Sequence, residues 1–274
     1  TAGQAIADPG YFEFGNHVFR DDAKRGHGAV DMYRSIVVSC DTYYYILARD
    51  MGVDTIHDFM TQFGWGQKTG IDLEGERTGV LPSKEWKQKA YKRESQQFWY
   101  PGETVSLGIG QGYNTFTPVQ MAFALSLLSN NGVAARPHLV KEIENPETHE
   151  RTPVTTETVR LSEMKQANFE FIKRAMVGVA RSGTAARIFG GAPYSTGGKT
   201  GTAQVFTVDQ NRTYGSYSLT EFKRDHGLYV AFAPADKPKI VIAVIVENAG
   251  FGASSAAPVA RRALDYFMSG RTEQ

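Results

Sequence analysis

The fold class is decided by residues 228–247, which read LYVAFAPADKPKIVIAVIVE. Two apolar runs, Leu228 to Ala233 and Lys239 to Glu247, flank a turn that contains Pro234 and Pro238. Runs of this length, rich in β-branched and aromatic residues and separated by a short turn, are typical of paired antiparallel strands. We therefore predict a β-hairpin near the C-terminal end of the chain.

A third strand and several helices are predicted around this hairpin. Lys199 to Val208 reads as a strand, and Pro258 opens a final helix. Upstream, apolar residues recur at helical spacing from Val30, the repeat breaks at residues 39–41, and a second helix follows. The break separates two helices that would otherwise be continuous.

Two more helices are predicted in the middle of the chain. Thr117, Pro118 and Gln120 combine a capping hydroxyl, a proline at the first helical position and a side chain that can reach back to the cap. An amphipathic repeat begins at Phe169. Residues 84–104 have no clear period, so we expect an irregular, mobile surface segment there. Helices followed by adjacent strands predict an α+β fold, with an antiparallel sheet flanked by helices and a helical lobe.

Length and composition favour one large domain over residues 1–274. Of the 274 residues, 41% are hydrophobic, which is enough to bury a large core. The 30 Lys and Arg nearly cancel 29 Asp and Glu, so the overall charge does not favour nucleic acid as a partner. No apolar run approaches the roughly 18 residues of a membrane-spanning helix. The single cysteine, Cys40, excludes an internal disulfide.

Two short motifs could carry chemistry together. Ser39-Cys40-Asp41 lies at the predicted helix break, and Lys199-Thr200-Gly201-Thr202 lies at the start of a strand. A serine in a helix break can direct its hydroxyl into a cleft as a proton relay, with the aspartate as an acceptor beside it. On a strand edge, backbone N–H groups are exposed, the lysine attracts a carboxylate, and the glycine allows a close approach of substrate. Acyl transfer requires such groups.

Two other enzyme classes have motifs that resemble short stretches of this chain. Gly197-Gly198-Lys199-Thr200 resembles the end of a phosphate-binding loop, but that motif requires glycine at the position of Pro193 and a helix after the threonine. Ala203 to Val208 reads as a strand instead. His226 follows Asp225, which suggests a Ser-His-Asp triad, yet the chain contains no Gly-x-Ser-x-Gly elbow. Both classes are disfavoured.

Further short sequence segments, together with the two motifs, form an ordered set. Gly108-Ile109-Gly110-Gln111-Gly112 and then Thr117-Pro118-Val119-Gln120-Met121-Ala122 lie between them, and Asp225-His226-Gly227 follows. In order and in spacing, the set resembles the class B penicillin-binding proteins, and among them the monofunctional enzymes of rod-shape elongation. The similarity extends over nearly the whole chain. One motif alone would be a weak signal, whereas the ordered set is specific.

The resemblance implies a penicillin-binding, serine β-lactamase-like fold and a peptidoglycan D,D-transpeptidase. Such an enzyme cross-links D-Ala-D-Ala stem peptides through a serine acyl-enzyme, needs no cofactor for the chemistry and is inhibited by β-lactam antibiotics. Ser39, with Asp41 beside it, would relay a proton; Lys199 and Thr200 would hold a carboxylate. After Gly201, the N–H of Thr202 would form half of the oxyanion hole. Membrane proteins of the elongation complex are implied as partners, and the periplasmic face of the inner membrane as the location.

The sequence departs from the family pattern in two places. The nucleophile motif, Ser-x-x-Lys, is not found ahead of Ser39, so we expect it upstream of Thr1 and expect residues 1–274 alone to be inactive. One literal match, Ser162-Glu163-Met164-Lys165, falls in the wrong order and is interpreted as a helix cap. Asp41 stands where the family more often has asparagine, so an amide that could contact substrate is absent.

Alternatives within the same fold remain open at this point. A β-lactam hydrolase or antibiotic sensor would share these motifs and differ in whether water reaches the acyl-enzyme. A non-catalytic binding domain would lack the nucleophile altogether. The sequence also leaves undecided whether residues 207–225 cover the cleft as a flap.

A metal site is the last candidate. Cys40 lies between Ser39 and Asp41, and His27, Asp8, Asp21 and Asp22 lie in the loops before it. One thiolate, one imidazole and two carboxylates would complete a tetrahedral zinc site, although the spacing matches no standard zinc finger. Otherwise, Cys40 is a small buried hydrophobic residue and His27 an ordinary loop residue. The resemblance favours structural zinc, with a chosen ligand set of Asp8, Asp21, His27 and Cys40, and with Asp22 as a substitute for Asp21.

Overall fold

The computed structural model describes residues 2–161, 164–205 and 220–270. Within these ranges the chain forms short strands first, then helices, then a sheet closed by a helix. The strands are β1 Ile6–Asp8, β2 Tyr11–Phe14, β3 His17–Arg20, β4 Gly28–Val30, β5 Val133–Ala135, β6 Glu142–Glu144, β7 Arg151–Pro153, β8 Thr158–Arg160, β9 Gly197–Ala203, β10 His226–Ala233 and β11 Ile240–Val246. The helices are α1 Met32–Val38, α2 Asp41–Met51, α3 Val53–Thr61, α4 Lys84–Ala90, α5 Glu94–Gln97, α6 Pro101–Leu107, α7 Pro118–Ser129, α8 Gln166–Arg181, α9 Ala186–Phe189 and α10 Ala256–Met268.

The main sheet has three antiparallel strands in the order β11-β10-β9. The central strand β10 pairs with β11 from Gly227 to Ala233 and with β9 from His226 to Phe232. Strand β9, which carries the Lys199 motif, therefore lies at the edge of the sheet. The remaining strands form the two-stranded pairs β1-β4, β2-β3, β5-β8 and β6-β7.

Helices cover both faces of the main sheet. Tyr229 and Ala231 of β10 face a core that includes Leu264 of α10, and all three side chains are fully buried. Phe232 points to the opposite face and packs against Leu125 of α7 and, from α8, Met176. Because successive side chains of a strand point to opposite faces, a strand buried on both sides reads as a continuous apolar run. The apolar run that predicted the hairpin is continuous because β10 is buried on both faces. The predicted α+β fold is confirmed.

The prediction of an irregular segment at residues 84–104 was wrong. This part of the chain contains α4, α5 and most of α6. Ser83 caps α4 by accepting a hydrogen bond from the Trp86 N–H at 3.0 Å, and Pro101 occupies the first turn of α6. Helices of four to seven residues are too short to show a full amphipathic repeat, so the pattern gave no signal.

Two sequence-based interpretations fall outside the described residues. The helix-cap interpretation of Ser162 and Glu163 concerns residues beyond these ranges, as does most of the segment 207–225 that could cover the cleft. Among the described residues, no helix combines the length and apolar character that a membrane crossing requires.

Candidate active site

The Ser39 hydroxyl lies at a break between α1 and α2. Asp31 caps the start of α1 by accepting a hydrogen bond from the Arg34 N–H at 2.8 Å, and Ser39 ends the helix in the left-handed conformation, with φ 58° and ψ 51°. The Cys40 N–H then bonds to the Ser35 carbonyl at 2.9 Å. A positive φ is uncommon for a residue other than glycine, and strain of this kind is concentrated at functional positions. The break turns the serine side chain towards β9.

Lys199 reaches this serine from the sheet. Its Nζ donates to the Ser39 Oγ at 2.6 Å and to the Thr200 carbonyl at 3.0 Å, so two residues 160 positions apart meet in one cleft. Burial lowers the pKa of Lys199 to about 8, and the nearby Asp41 carboxylate opposes this shift. A lysine whose pKa lies near neutrality can hold a carboxylate and can also exchange a proton.

Asp41 lies in the same cleft, at the first residue of α2. Burial raises its pKa to about 7, and the neighbouring carboxylate of Asp21 acts in the same direction, whereas Lys199 acts against both. The carboxyl group can thus carry or release a proton near neutral pH. The structure places this group near Lys199, as the motif order predicts.

Thr200, Gly201 and Thr202 follow along the edge of β9. The Thr200 hydroxyl lies 2.9 Å from the hydroxyl of Thr184, which follows α8. The Thr202 carbonyl accepts a hydrogen bond from the Gln111 side chain at 2.6 Å and therefore faces away from β10. In an antiparallel strand the N–H and C=O of one residue point to the same side, so the Thr202 N–H also faces outward.

Gln111 is a site residue that the sequence reasoning missed. In the sequence, Gly108 to Gly112 belongs to the ordered motif set, but nothing in it indicates a partner for the glutamine. In the structure its glutamine bridges to Thr202 of the Lys199 motif. The available signal was a single long polar side chain between two glycines, Gly110 and Gly112, both with positive φ.

A second cluster lies directly beside this cleft. Asp8, Asp21, His27 and Cys40 place four potential metal-ligand atoms within 4.8 Å of one another. The His27 Nδ1 is 2.7 Å from Asp8 Oδ2 and 3.7 Å from Asp21 Oδ1, and the Cys40 Sγ is 3.4 Å from Asp8 Oδ2. Both aspartates and the cysteine are buried. The Thr42 N–H donates to Asp21 at 3.0 Å, which connects the cluster to the start of α2.

The cluster concentrates negative charge in a buried place. Burial acts to raise the pKa of Asp8, but hydrogen bonds from the Gly10 N–H and from His27 overcome it and lower the pKa to about 2. Burial raises the pKa of the Cys40 thiol well above its ordinary value, and the Asp21 and Asp8 carboxylates add to the shift. A divalent cation would compensate the two carboxylates and favour the thiolate. The donor set, with one nitrogen, one sulfur and two carboxylates, fits zinc.

The alternative enzyme classes fail on this geometry. Thr200 is followed by strand residues to Ala203 rather than by a helix, so no helix N-terminus is available for a phosphate. The Nδ1 of His226 accepts a hydrogen bond from the Asn248 N–H at 2.9 Å and is not paired with a serine in the contacts described. The cleft between Ser39 and Lys199 is the site that remains.

Comparison with known proteins gives a family match over most of the chain. Residues 4–265 match the family described as Penicillin binding protein transpeptidase domain. The chain belongs to the penicillin-binding protein transpeptidase family. The predicted resemblance to penicillin-binding proteins is thereby confirmed, and the named relatives that follow confirm its elongation-type branch.

Several curated relatives of this penicillin-binding transpeptidase domain carry the same name. The chain is 43% identical to the peptidoglycan D,D-transpeptidase MrdA of Haemophilus influenzae over 280 residues, which are 100% of this chain and 42% of the relative. It is 40% identical to MrdA of Escherichia coli K12 over 275 residues, which are 98% of this chain and 42% of the relative. The chain thus spans about two fifths of the length of these relatives.

Solved structures of penicillin-binding proteins superpose on the whole chain. PBP2 of Pseudomonas aeruginosa in complex with WCK 5153 gives a TM-score of 0.81 at 38% identity, covering 97% of this chain and 56% of that one. PBP2 of Helicobacter pylori in complex with MreC gives a TM-score of 0.82 at 27% identity, covering 98% and 46%. The sheet and helices described above are therefore those of the penicillin-binding transpeptidase fold.

Proposed function

We propose that this chain is the transpeptidase domain of a peptidoglycan D,D-transpeptidase that acts on D-Ala-D-Ala stem peptides at the periplasmic face of the inner membrane. The observation that carries the proposal is the 2.6 Å hydrogen bond between Lys199 Nζ and Ser39 Oγ. It joins the two motifs of the family that the chain contains. The nucleophile, in this proposal, is the serine of a Ser-x-x-Lys motif in a segment outside residues 1–274.

The proposed reaction proceeds in two steps. The nucleophilic serine attacks the carbonyl of the penultimate D-Ala, the peptide C–N bond breaks, and the terminal D-Ala leaves as its amine takes a proton. An amino group of a second stem peptide then attacks the acyl-enzyme ester, forms the new amide and returns the serine hydroxyl. A β-lactam enters the same first step, and its ring amide opens without a departing fragment.

Each described residue has a proposed role in these steps. Lys199 and Thr200 bind the carboxylate of the substrate or antibiotic, and Ser39 passes the proton to the leaving amine, with Asp41 beside it. The outward N–H of Thr202 stabilises the developing oxyanion. The proximity of Ser39 to the Lys199 ammonium supports the relay, and the edge position of β9 supports the oxyanion contact.

Partners of the full-length protein are proposed by comparison. A relative was solved with WCK 5153 and another with MreC. We propose β-lactam antibiotics and membrane proteins of the elongation complex as partners of this protein, because it shares the domain that those complexes contain.

The proposal is tested by labelling the full-length protein with a fluorescent penicillin. Wild-type protein should form a stable covalent adduct, and changing the upstream serine to alanine should abolish it. Ser39→Ala and Lys199→Ala should each slow labelling by about 100-fold or more. Labelling that persists without the upstream serine would disprove the transpeptidase assignment. Rapid turnover of the adduct in water would instead indicate a β-lactam hydrolase.

We also propose that Asp8, Asp21, His27 and Cys40 hold a structural zinc ion. Tetrahedral zinc keeps its ligand atoms roughly 3.3–3.8 Å apart, and the four ligand atoms here lie close to this arrangement, within 4.8 Å of one another. When bound, zinc would stabilise the Cys40 thiolate and fix residues 8–27 against the start of α2. It takes no part in the proposed acyl transfer.

Elemental analysis of the purified protein tests the metal proposal. We expect close to one zinc per chain in the wild type and much less in Cys40→Ala. Asp22→Asn is a suitable control, because Asp22 lies outside the cluster and should keep its zinc. Equal zinc contents in wild type and Cys40→Ala would remove the proposal.

A further inference from the structure

The loop of residues 108–112 connects the two walls of the cleft. It follows α6 directly, and Gly108 lies so close to α2 that an added Cβ would be 2.4 Å from the Tyr44 carbonyl oxygen. Helix α2 is the helix that begins at Asp41. The start of the loop is therefore fixed against the wall that carries the Ser39 motif.

The Gln111 side chain fixes the same loop to the opposite wall. Its Nε2 donates to the Thr202 carbonyl at 2.6 Å, and its Oε1 accepts from the Gln204 N–H at 3.4 Å. A residue of a parallel neighbouring strand, whose own N–H and C=O point to the same side, would bond in the same way to a carbonyl and to the N–H two residues later. The carboxamide of Gln111 thus takes the place of a pairing strand at the end of β9.

This contact lies where β9 loses its other support. Pairing with β10 ends at Ala203, opposite His226, so Thr202 is the last residue but one of the paired strand. A rotation of the Thr202 backbone would turn its N–H away from the cleft. Because a carbonyl oxygen has two lone pairs, the bond from Gln111 leaves one lone pair of Thr202 available to a substrate N–H.

The loop behind Gln111 is held by a buried ion pair. The Tyr113 hydroxyl donates to Glu103 at 2.8 Å, and Glu103 also pairs with Lys87, whose side chain is almost fully buried. The Lys87 Nζ lies 5.4–5.6 Å from the ring centres of Trp99, Tyr100 and Tyr113. The segment that presents Gln111 is therefore anchored on a packed aromatic cluster.

We propose that Gln111 is a positioning residue for acyl transfer, which holds Thr202 so that its N–H meets the oxyanion. This inference rests on the proposed function, because it assigns a task within the same reaction. Removing the carboxamide would disturb the Thr202 N–H, which is needed in the transition state. It would disturb much less the contacts of Lys199 and Thr200 with the carboxylate of the bound substrate. Acylation should therefore slow while reversible binding changes little.

The test measures the two stages of penicillin acylation separately in the full-length protein. Gln111→Met keeps the length of the side chain and removes both hydrogen bonds. We expect the rate constant of acylation to fall about 10- to 100-fold, because loss of a whole oxyanion donor costs about 100- to 1,000-fold. The dissociation constant of the noncovalent complex should change less than about threefold. Gln111→Glu lacks the N–H donor, so it should show the same fall in the acylation rate constant and the same small change in the dissociation constant as Gln111→Met.

Gln120→Met is the matched control. Gln120 is a buried glutamine, and its Nε2 donates to the carbonyls of Gln67 and Thr78, at 2.7 Å each. This variant should lower the melting temperature and leave the acylation rate constant of the folded protein unchanged. An equal loss of rate in Gln120→Met at a comparable melting temperature would show that general destabilisation explains the effect.

The outcomes separate this inference from the proposed function. If wild-type protein does not form a serine-dependent adduct, the proposed function fails. If wild type reacts and Gln111→Met acylates within twofold of it, the positioning role fails and the proposed function stands. A third outcome is that Gln111→Met shows a higher noncovalent dissociation constant with an unchanged acylation rate constant. That result would overturn the positioning role, because Gln111 would then be a ground-state binding residue.

Discussion

Two residues of the site adopt states that folding alone would not favour. Ser39 has a positive φ, and Lys199 holds its ammonium in a partly buried position where desolvation lowers its pKa. A left-handed residue other than glycine costs of order 1 kcal/mol, and a buried charge costs more. Both costs occur at residues that meet each other in the cleft. Stability measurements can therefore reveal them independently of any assay of activity.

Replacing Ser39 with glycine and with alanine separates strain from chemistry. Both changes remove the hydroxyl, but only glycine relieves the left-handed strain. We expect Ser39→Gly to be more stable than Ser39→Ala by about 1 kcal/mol, with both variants slow in penicillin labelling. Urea unfolding measures the difference. Equal stability of the two variants would contradict a strained serine.

Replacing Lys199 with methionine should stabilise the protein while abolishing reactivity. The buried ammonium is removed and the chain length is kept, so we expect a gain of about 1–3 kcal/mol at pH 7. The folded pKa, about 8, lies below the ordinary 10.5, so the unfolded state binds more protons between these values. Wild-type stability should therefore rise with pH across this window relative to Lys199→Met. Urea unfolding at pH 7 and pH 10 should show the gap narrowing; a constant gap would argue against the burial cost.

At this scale, the sequence predicted the residues with recognisable neighbours. Ser39, Asp41 and Lys199 were identified because their motifs occur in a known order, and the structure brings their side chains into one cleft. Gln111 was not identified, because its partner is a backbone carbonyl 91 residues away. A side chain that bonds to a backbone group leaves no complementary side chain in the sequence to reveal it.

Among the elements, α4 and α6 are joined by one ion pair. Lys87 is only 3% exposed and has Glu103 as its charge partner. Removing one member of such a pair leaves a buried charge unpaired, and the cost is about 3–5 kcal/mol. In α4, a buried lysine adds to the effect of short helices in hiding the amphipathic pattern. Long strands such as β10 and β11 were predictable because both of their faces are apolar.

A double-mutant cycle tests the importance of the pair. Glu103→Ala should destabilise the protein by about 3 kcal/mol, and adding Lys87→Met should recover part of the loss, because the unpaired charge is removed. Glu85→Ala is the control, since Glu85 and Lys89 form an ion pair in which both side chains are about three-quarters exposed. That change should leave the stability almost unchanged, because water and salt screen an exposed pair. Similar losses for Glu103→Ala and Glu85→Ala would contradict the argument.

Across the whole molecule, close backbone approaches hold the two walls of the cleft together. Gly183, after α8, lies against the end of α1, where an added Cβ would be 2.1 Å from the Val37 carbonyl oxygen. The next residue is Thr184, whose hydroxyl meets Thr200. This approach could not be predicted from the sequence, because a glycine that ends a helix looks the same whether or not another helix packs against it.

Gly183→Ala should therefore separate the walls. We expect a loss of at least about 2 kcal/mol of stability and slower penicillin labelling, since backbone must move to admit the methyl group. Gly102→Ala is the control, because its added Cβ would meet nothing within 4 Å. This second change, in the first turn of α6, should be neutral or slightly stabilising. Thermal unfolding measures both variants. Equal losses of stability would refute the steric explanation.

The long sequence separation between Ser39 and Lys199 bears on how the protein matures. Closing a loop of 160 residues lowers the chain entropy, and this unfavourable change comes before the contact can stabilise the fold. Local helices and hairpins can form first, while the reactive groove is still unassembled. During refolding, capture of a fluorescent penicillin should consequently lag behind recovery of the far-ultraviolet circular dichroism signal. Antibiotic capture would then report complete maturation, and immature chains would escape the drug.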